Sequence, residues 1–261
     1  MGQTRYVAIG DSQTEGVGDP DGTGGWRGFA DRLAQQLATL TPELHYANLA
    51  VRGKLARQVR DEQLDAALSL RPHLVTVVAG MNDLIRPSFS ATAVGACLDE
   101  MFSALTASGA RVATLTFPDL PRLSPLLHPL RHRVLDLNAS IRTSAARHGV
   151  ALVDTFGYSV TTDPRLWCPD RIHANPVGHA RIAAAFAEAL GLPGSDDSWS
   201  RPLPTPGSRS AVRRVASDVR WLATFVGPWA YRRLRGRSSG TDRVPKRPTP
   251  LPVTPPASEP A

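Results

Sequence analysis

Four side chains of the types that transfer acyl groups are spread along this chain: Ser12, Asn82, Asp170 and His173. Serine is a weak nucleophile. It needs a neighbouring base, usually histidine, and the histidine needs an acceptor that fixes its tautomer. Asp170 and His173 stand three residues apart in Asp170-Arg171-Ile172-His173. On a turn, that spacing lets the carboxylate take the Nδ1–H and leaves Nε2 for Ser12. Attack on a carbonyl also creates an oxyanion that needs donors. The backbone N–H groups of Ser12 and Gly53 and the side-chain amide of Asn82 would supply them. Glycine suits a place where backbone approaches a ligand closely. No single piece is decisive. Gly10-Asp11-Ser12 is also ordinary turn chemistry, and an Asp-x-x-His arises by chance about 0.5 times in a chain of this composition. The force lies in the order of the pieces and in where they fall.

Most of them fall at the ends of strands. Tyr6-Val7-Ala8-Ile9 is an apolar run that stops at Gly10-Asp11-Ser12. The stretch 44–50 reads as a second strand, with Gly53 just beyond it. His73 to Ala79 is the most continuous apolar run, fit for burial on both faces, and it ends at Gly80-Met81-Asn82-Asp83. Residues 111–116 and 150–154 read as two further strands. Helical spacing of apolar residues fills the intervals, including about 90–108 and about 176–190. Strands alternating with helices predict an α/β three-layer sandwich with a five-stranded parallel sheet covered on both faces. All strand C-termini then lie along one edge, where residues from distant blocks converge.

The four blocks together resemble the SGNH or GDSL-type serine hydrolases: Gly10-Asp11-Ser12, Gly53 in Asn48-Leu49-Ala50-Val51-Arg52-Gly53, Gly80-Met81-Asn82-Asp83, and Asp170-Arg171-Ile172-His173. The resemblance spans about 1–192 and implies a flavodoxin-like fold. It gives the family's four roles to Ser12, Gly53, Asn82 and His173, with Asp170 as the acid of the triad. It implies cleavage of carboxylic esters through an acyl-enzyme, without metal or organic cofactor. Gln13 departs from the leucine in the family's older name. Members include esterases, lipases, lysophospholipases, thioesterases and carbohydrate O-deacylases, and a few relatives pass the acyl group to an alcohol. The substrate stays open, and so does a non-catalytic scaffold that binds a membrane or a partner.

Other residues carry two readings each. Trp26 and Trp167 either line an acyl or sugar pocket or belong to the core. Arg86 and Arg171 flank the expected site and either bind an anionic group or are solvated. Asp83 either holds the site loop by hydrogen bonds or contacts substrate, and Asp11 reads as a turn residue. His179 follows His173 at a spacing that does not suit two zinc ligands on one helix, so it reads as packing or helix surface. Cys97 and Cys168 are too few and too far apart for a disulfide framework or zinc site; Cys97 reads as core, and Cys168 as packing or a reactive thiol. The pocket walls are expected in the loops at 17–27, 84–90, 117–130 and 156–169.

Charge separates the chain into parts. Its excess of seven positive charges lies wholly in residues 195–261, with 12 basic and 5 acidic side chains. The expected parts are a hydrolase domain over 1–194, a Ser/Asp/Pro linker over 195–208, a basic amphipathic helix over 209–237 and a disordered Pro-rich tail over 238–261. Val212, Val215, Val219, Leu222, Val226 and Trp229 make the apolar stripe of that helix, with arginines off it. It would dock on the domain or on a second copy of it, or lie on an anionic membrane. Nucleic acid is disfavoured, because the aromatics do not interleave with the charges. No apolar segment of signal-peptide or membrane-spanning form is present, which points to the cytoplasm.

Overall fold

The computed structural model describes residues 3–204, 220–227 and 239–255. Strands β1 (Thr4–Gly10), β2 (Leu44–Asn48), β3 (Leu74–Val78), β4 (Arg111–Leu115), β5 (Ala151–Val153) and β6 (Arg247–Pro252) form one sheet in the order β5-β4-β3-β1-β2-β6. The first five are parallel, as expected. β1 lies inside the sheet, between β3 and β2, which is why Tyr6 to Ile9 are fully buried. Their side chains meet both helical layers. On β1 and β2, Tyr6 stacks on Tyr46 with centroids 5.1 Å apart, and the Tyr6 hydroxyl shares a 2.8 Å hydrogen bond with Thr76. The polar tips of two core aromatics are thus kept paired or close to partners.

The helices long enough to cover the sheet are α2 (Gly28–Leu40), α3 (Ala56–Ser69), α5 (Ala91–Ala107), α6 (Arg131–His148) and α7 (Pro176–Ala189); α1 (Ser12–Glu15) and α4 (Met81–Leu84) are single turns. α2 packs on α7, and α5 packs on both α3 and α6. The expected helix at about 90–108 is α5, capped by the Ser90 hydroxyl, which accepts from Ala93 N–H at 3.2 Å.

His179, on α7, resolves its two readings in favour of packing. It is fully buried beside Phe29, accepts from Phe29 N–H at Nδ1 (3.1 Å) and donates from Nε2 to Val17 C=O (3.2 Å). Burial lowers its pKa to about 4. Between about 6.5 and 4 the unfolded chain therefore holds a proton here that the folded chain refuses. Stability contributed by neutral His179 is lost as pH falls through that window. The melting temperature of the protein should fall more steeply from pH 6.5 to 4 than that of His179→Gln; parallel melting curves against pH would remove this assignment.

The C-terminal part departs from expectation in two places. Residues 195–204, expected as linker, pack on the domain: Trp199 is buried, its indole donates to Glu188, and Arg181 donates to the carbonyls of Trp199 and Arg201 at 2.6 Å. And 238–261 is not a disordered tail throughout. Arg247–Pro252 runs antiparallel to β2 as a sixth strand, so the sheet has six strands instead of five. Its prolines, 248, 250 and 252, occupy alternate positions. Val253 N–H donates to Leu44 C=O at 3.1 Å, and the prolines are out of phase with it, so the missing N–H groups face away from β2. That is the one way a proline-rich segment can serve as an edge strand. Of the expected helix over 209–237, residues 209–219 and 228–237 lie outside the described residues. The remainder, 220–227, is helical, with a π-helical turn at Leu222–Val226.

Candidate active site

The opening turn is fixed from three sides. Gly10 ends β1 with φ +152°, and a Cβ there would fall 2.3 Å from Val78 C=O, so only glycine fits. The Gln63 amide pairs with both backbone groups of Gly10, at 2.8 and 2.9 Å. Asp11 caps α1 by accepting from Gln13 N–H at 3.3 Å, and Ser12 is the first residue of that turn. From β2, Asn48 donates its amide to Thr14 C=O at 2.7 Å. Glu15 accepts from Arg52 N–H at 2.7 Å and from the Arg52 guanidinium, which ties the Gly53 loop to α1. Gly53 itself has φ +77°, a left-handed conformation that favours glycine.

Asn82 sits on α4, directly after β3. Its Nδ2 donates to Asp11 Oδ2 and to Lys54 C=O, both at 3.0 Å. Asp83 accepts from Ala56 N–H at 2.9 Å at the start of α3, a loop-holding contact. Asp11 is therefore more than a turn residue. It joins the first and third blocks, and burial drives its carboxyl up to about 7, against its hydrogen bonds from Gln13 and Asn82 and the nearby His173.

The fourth block is a hairpin-like loop closed by Cys168 N–H donating to His173 C=O at 2.8 Å. Inside it, Asp170 Oδ2 lies 2.7 Å from His173 Nδ1, while Asp170 Oδ1 accepts from the N–H groups of Ile172 and His173 at 3.0 Å. Burial works against the Asp170 carboxylate, but its bond with His173 and the two N–H groups outweigh it and hold the pKa below the ordinary value. Arg171, between acid and histidine, adopts φ +58°. Two residues after His173, Asn175 caps α7 by accepting from Val177 and Gly178 N–H at 3.0 Å. The Cys168 thiol is pushed up to about 11 by burial and the charge of Asp170, which suits packing and not reactivity.

Gln13 joins the two halves. Its Nε2 donates to Ile172 C=O (3.3 Å) and its Oε1 accepts from Ala174 N–H (3.4 Å), so one amide grips the residues on either side of His173. The sequence marked Gln13 only as a departure from a motif.

A cavity of about 320 Å³ opens on Asp11, Ser12 and Asn82. Ile85, Leu126 and Trp167 line it, from three of the four loops expected to wall it. Trp167 lines it with its indole donating to Thr161 C=O at 2.9 Å. Trp26 and Arg86 are not part of its lining. Trp26 instead lies under the Arg52 guanidinium, 5.8 Å from the ring centroid, and the loop at 17–27 contributes no wall. The Arg86 backbone N–H donates to Asp83 C=O at 2.8 Å, and its C=O accepts from Arg133 at 2.5 Å. Trp221 and Phe225 do line it, and no motif or loop expectation pointed to them. Among the described residues no three His, Cys, Asp or Glu side chains gather as a metal ion requires, and no helix is long and apolar enough to cross a membrane.

Residues 8–181 match the family model of the GDSL-like lipase/acylhydrolase family. No curated protein matches the chain in sequence. Among solved structures, LAE5, an alpha/beta hydrolase enzyme from the metagenome of Lake Arreo, is similar at 25% identity and TM-score 0.60, over 72% of this chain and 95% of its own. TesA is similar at 22% identity and TM-score 0.60, over 72% of this chain and 98% of its own. Axe2, an acetylxylan esterase from Geobacillus stearothermophilus, is similar at 18% identity and TM-score 0.61, over 77% and 97%. The chain belongs to the GDSL-like lipase/acylhydrolase family and is a hydrolase of ester bonds.

Proposed function

We propose that the protein cleaves carboxylic esters in two steps with Ser12 as nucleophile. The observation that carries this reading is the Asp170–His173 pair. A carboxylate 2.7 Å from Nδ1 fixes the tautomer with the proton on Nδ1 and a basic lone pair on Nε2. Gln13 holds that histidine in register with the turn bearing Ser12. His173 takes the hydroxyl proton as Ser12 Oγ attacks the acyl carbon, and Asp170 stabilises the imidazolium. His173 then protonates the leaving alcohol, and the acyl group stays on Ser12. Water, activated by the same histidine, releases the acid and returns the serine.

The oxyanion is met by the N–H groups of Ser12 and Gly53 and by Asn82. Ser12 N–H belongs to the first turn of α1, where helical geometry leaves no internal acceptor. Asn82 already has an acceptor for each Nδ2 hydrogen, so it reaches the oxyanion by exchanging its bond to Asp11 Oδ2 for one to substrate. A carboxyl with a pKa near 7 gives up that bond at lower cost than a fully ionised one.

The protein should turn over a short-chain p-nitrophenyl ester and become covalently labelled by a fluorophosphonate probe, with the label on the peptide containing Ser12. Turnover without labelling, or labelling elsewhere, would move the nucleophile.

A further inference from the structure

The cavity over Ser12 has a wall that comes from outside residues 8–181. Trp221 and Phe225, in the stretch 220–227, line it together with Ser12, Asn82, Leu126 and Leu130. Trp221 is fixed to the fourth block. It is 6% exposed, its indole donates to Asp170 C=O at 2.6 Å, and the Arg171 guanidinium lies 5.2 Å from its ring centroid. Further along, Gly240 presses against the second block so closely that a Cβ would lie 2.0 Å from Arg52 C=O, and β6 then joins the sheet. The C-terminal part thus touches the loops bearing Asp170 and Gly53.

The chemistry of the cavity is graded. Its polar lining is Asp11, Ser12, Gln13 and Asn82 at one place and Arg171, stacked on Trp221, at another; the remaining lining residues are apolar. Phe225 is 38% exposed and Leu126 is 48% exposed, yet both line this one cavity beside a buried tryptophan. Scattered exposed apolar side chains are normal, whereas apolar side chains gathered at a cavity mouth mark a surface that a ligand covers. His173 must reach the leaving oxygen. His173 is not part of the cavity lining, so the cavity, with Ile85, Leu126, Leu130 and Phe225 in its wall, is left to the acyl side.

We propose that Trp221 and Phe225 complete an acyl-binding site, and that the preferred substrates are esters of apolar acids longer than acetate. This rests on the ester-cleaving reading of Ser12. Phe225 supplies a wall for the chain. Trp221 holds that wall against the loop carrying the acid and the base.

The test uses the full chain and p-nitrophenyl acetate, butyrate, hexanoate and octanoate. Wild-type kcat/KM should be higher for hexanoate than for acetate. Phe225→Ala should lower the hexanoate-to-acetate ratio by about tenfold, the size expected when a hydrophobic pocket loses contact with a few methylenes. Phe225→Leu, which keeps an apolar wall, should restore most of it. Trp221→Phe, which removes the indole donor and part of the ring but keeps an apolar aromatic side chain, should lower the ratio in the same direction. A wild-type preference for acetate overturns the proposal, and so does a ratio unmoved by Phe225→Ala. Equal gains for every chain length in Phe225→Ala would make the segment a plug and overturn it as well. Fluorophosphonate labelling separates the two levels: a labelled protein with a flat chain-length profile loses only the acyl site, whereas an unlabelled one loses the Ser12 reading and this proposal together.

Discussion

Replacing Ser12 by alanine should reduce ester turnover by about 10⁶-fold and abolish fluorophosphonate labelling, while leaving the fold intact. The magnitude is that of removing the nucleophile from a serine hydrolase whose remaining groups can only bind and polarise the ester. The fold should survive because the turn does not depend on the hydroxyl: Gly10 is held by Gln63, Asp11 caps α1 from its own side chain, Asn48 ties the turn to β2 and Glu15 ties it to the Gly53 loop. The backbone N–H of residue 12 also survives, so the donors proposed for the oxyanion remain and a small residual rate over water is expected. Both halves are measurable: kcat with a p-nitrophenyl ester, and melting temperature within a few degrees of wild type. Activity retained at more than a few per cent would exclude Ser12 as nucleophile.

Asp170→Asn should slow the reaction by about 10⁴-fold, as expected where the acid sets the tautomer of the base. One oxygen of Asp170 meets His173 Nδ1 and the other accepts two backbone N–H groups. An asparagine cannot satisfy both sides. If its oxygen faces the backbone donors, its NH₂ faces Nδ1, and the histidine must move its proton to Nε2, where it can no longer act as a base. If the amide turns round, two N–H groups meet a donor. The effect should fall on kcat. Asp170→Asn should also lose part of the wild type's acid sensitivity. The Asp170 carboxylate is held below its ordinary pKa, so its contribution to stability is present above the unfolded value and lost as pH falls through the folded one. A rate within tenfold of wild type would mean that a group other than Asp170 orients His173.

The parallel part of the sheet was legible because its signals are local. Apolar runs such as 6–9 and 74–78 have no other stable use than buried strands, and each stops at glycine and polar residues. The site blocks were legible for the same reason, since each is a short cluster at a strand end or before a helix. What escaped was whatever depended on distance through space. Trp26 and Arg86 stand near the motifs in sequence, but Trp26 lies under the Arg52 guanidinium and Arg86 stays out of the cavity lining. Gln13 reads as a motif variant until Ile172 and Ala174 are seen at its two ends. Trp221 follows the nearest motif by about fifty residues, and only folding brings its indole to Asp170. β6 escaped because proline content is usually read as a mark of disorder, whereas its alternate spacing was the informative feature.

That spacing has a consequence for how copies of the molecule behave together. An open sheet edge presents unpaired N–H and C=O groups to any passing strand, and growth from such edges is a common start of aggregation. Beyond β6, the outward positions 248, 250 and 252 carry no N–H at all, so an incoming strand finds acceptors without donors and cannot build a ladder. At the opposite edge β5 is only three residues long, too short to template much pairing. The C-terminal strand thus serves as a selvedge: it finishes the weave of the sheet and keeps neighbouring molecules from being stitched onto it.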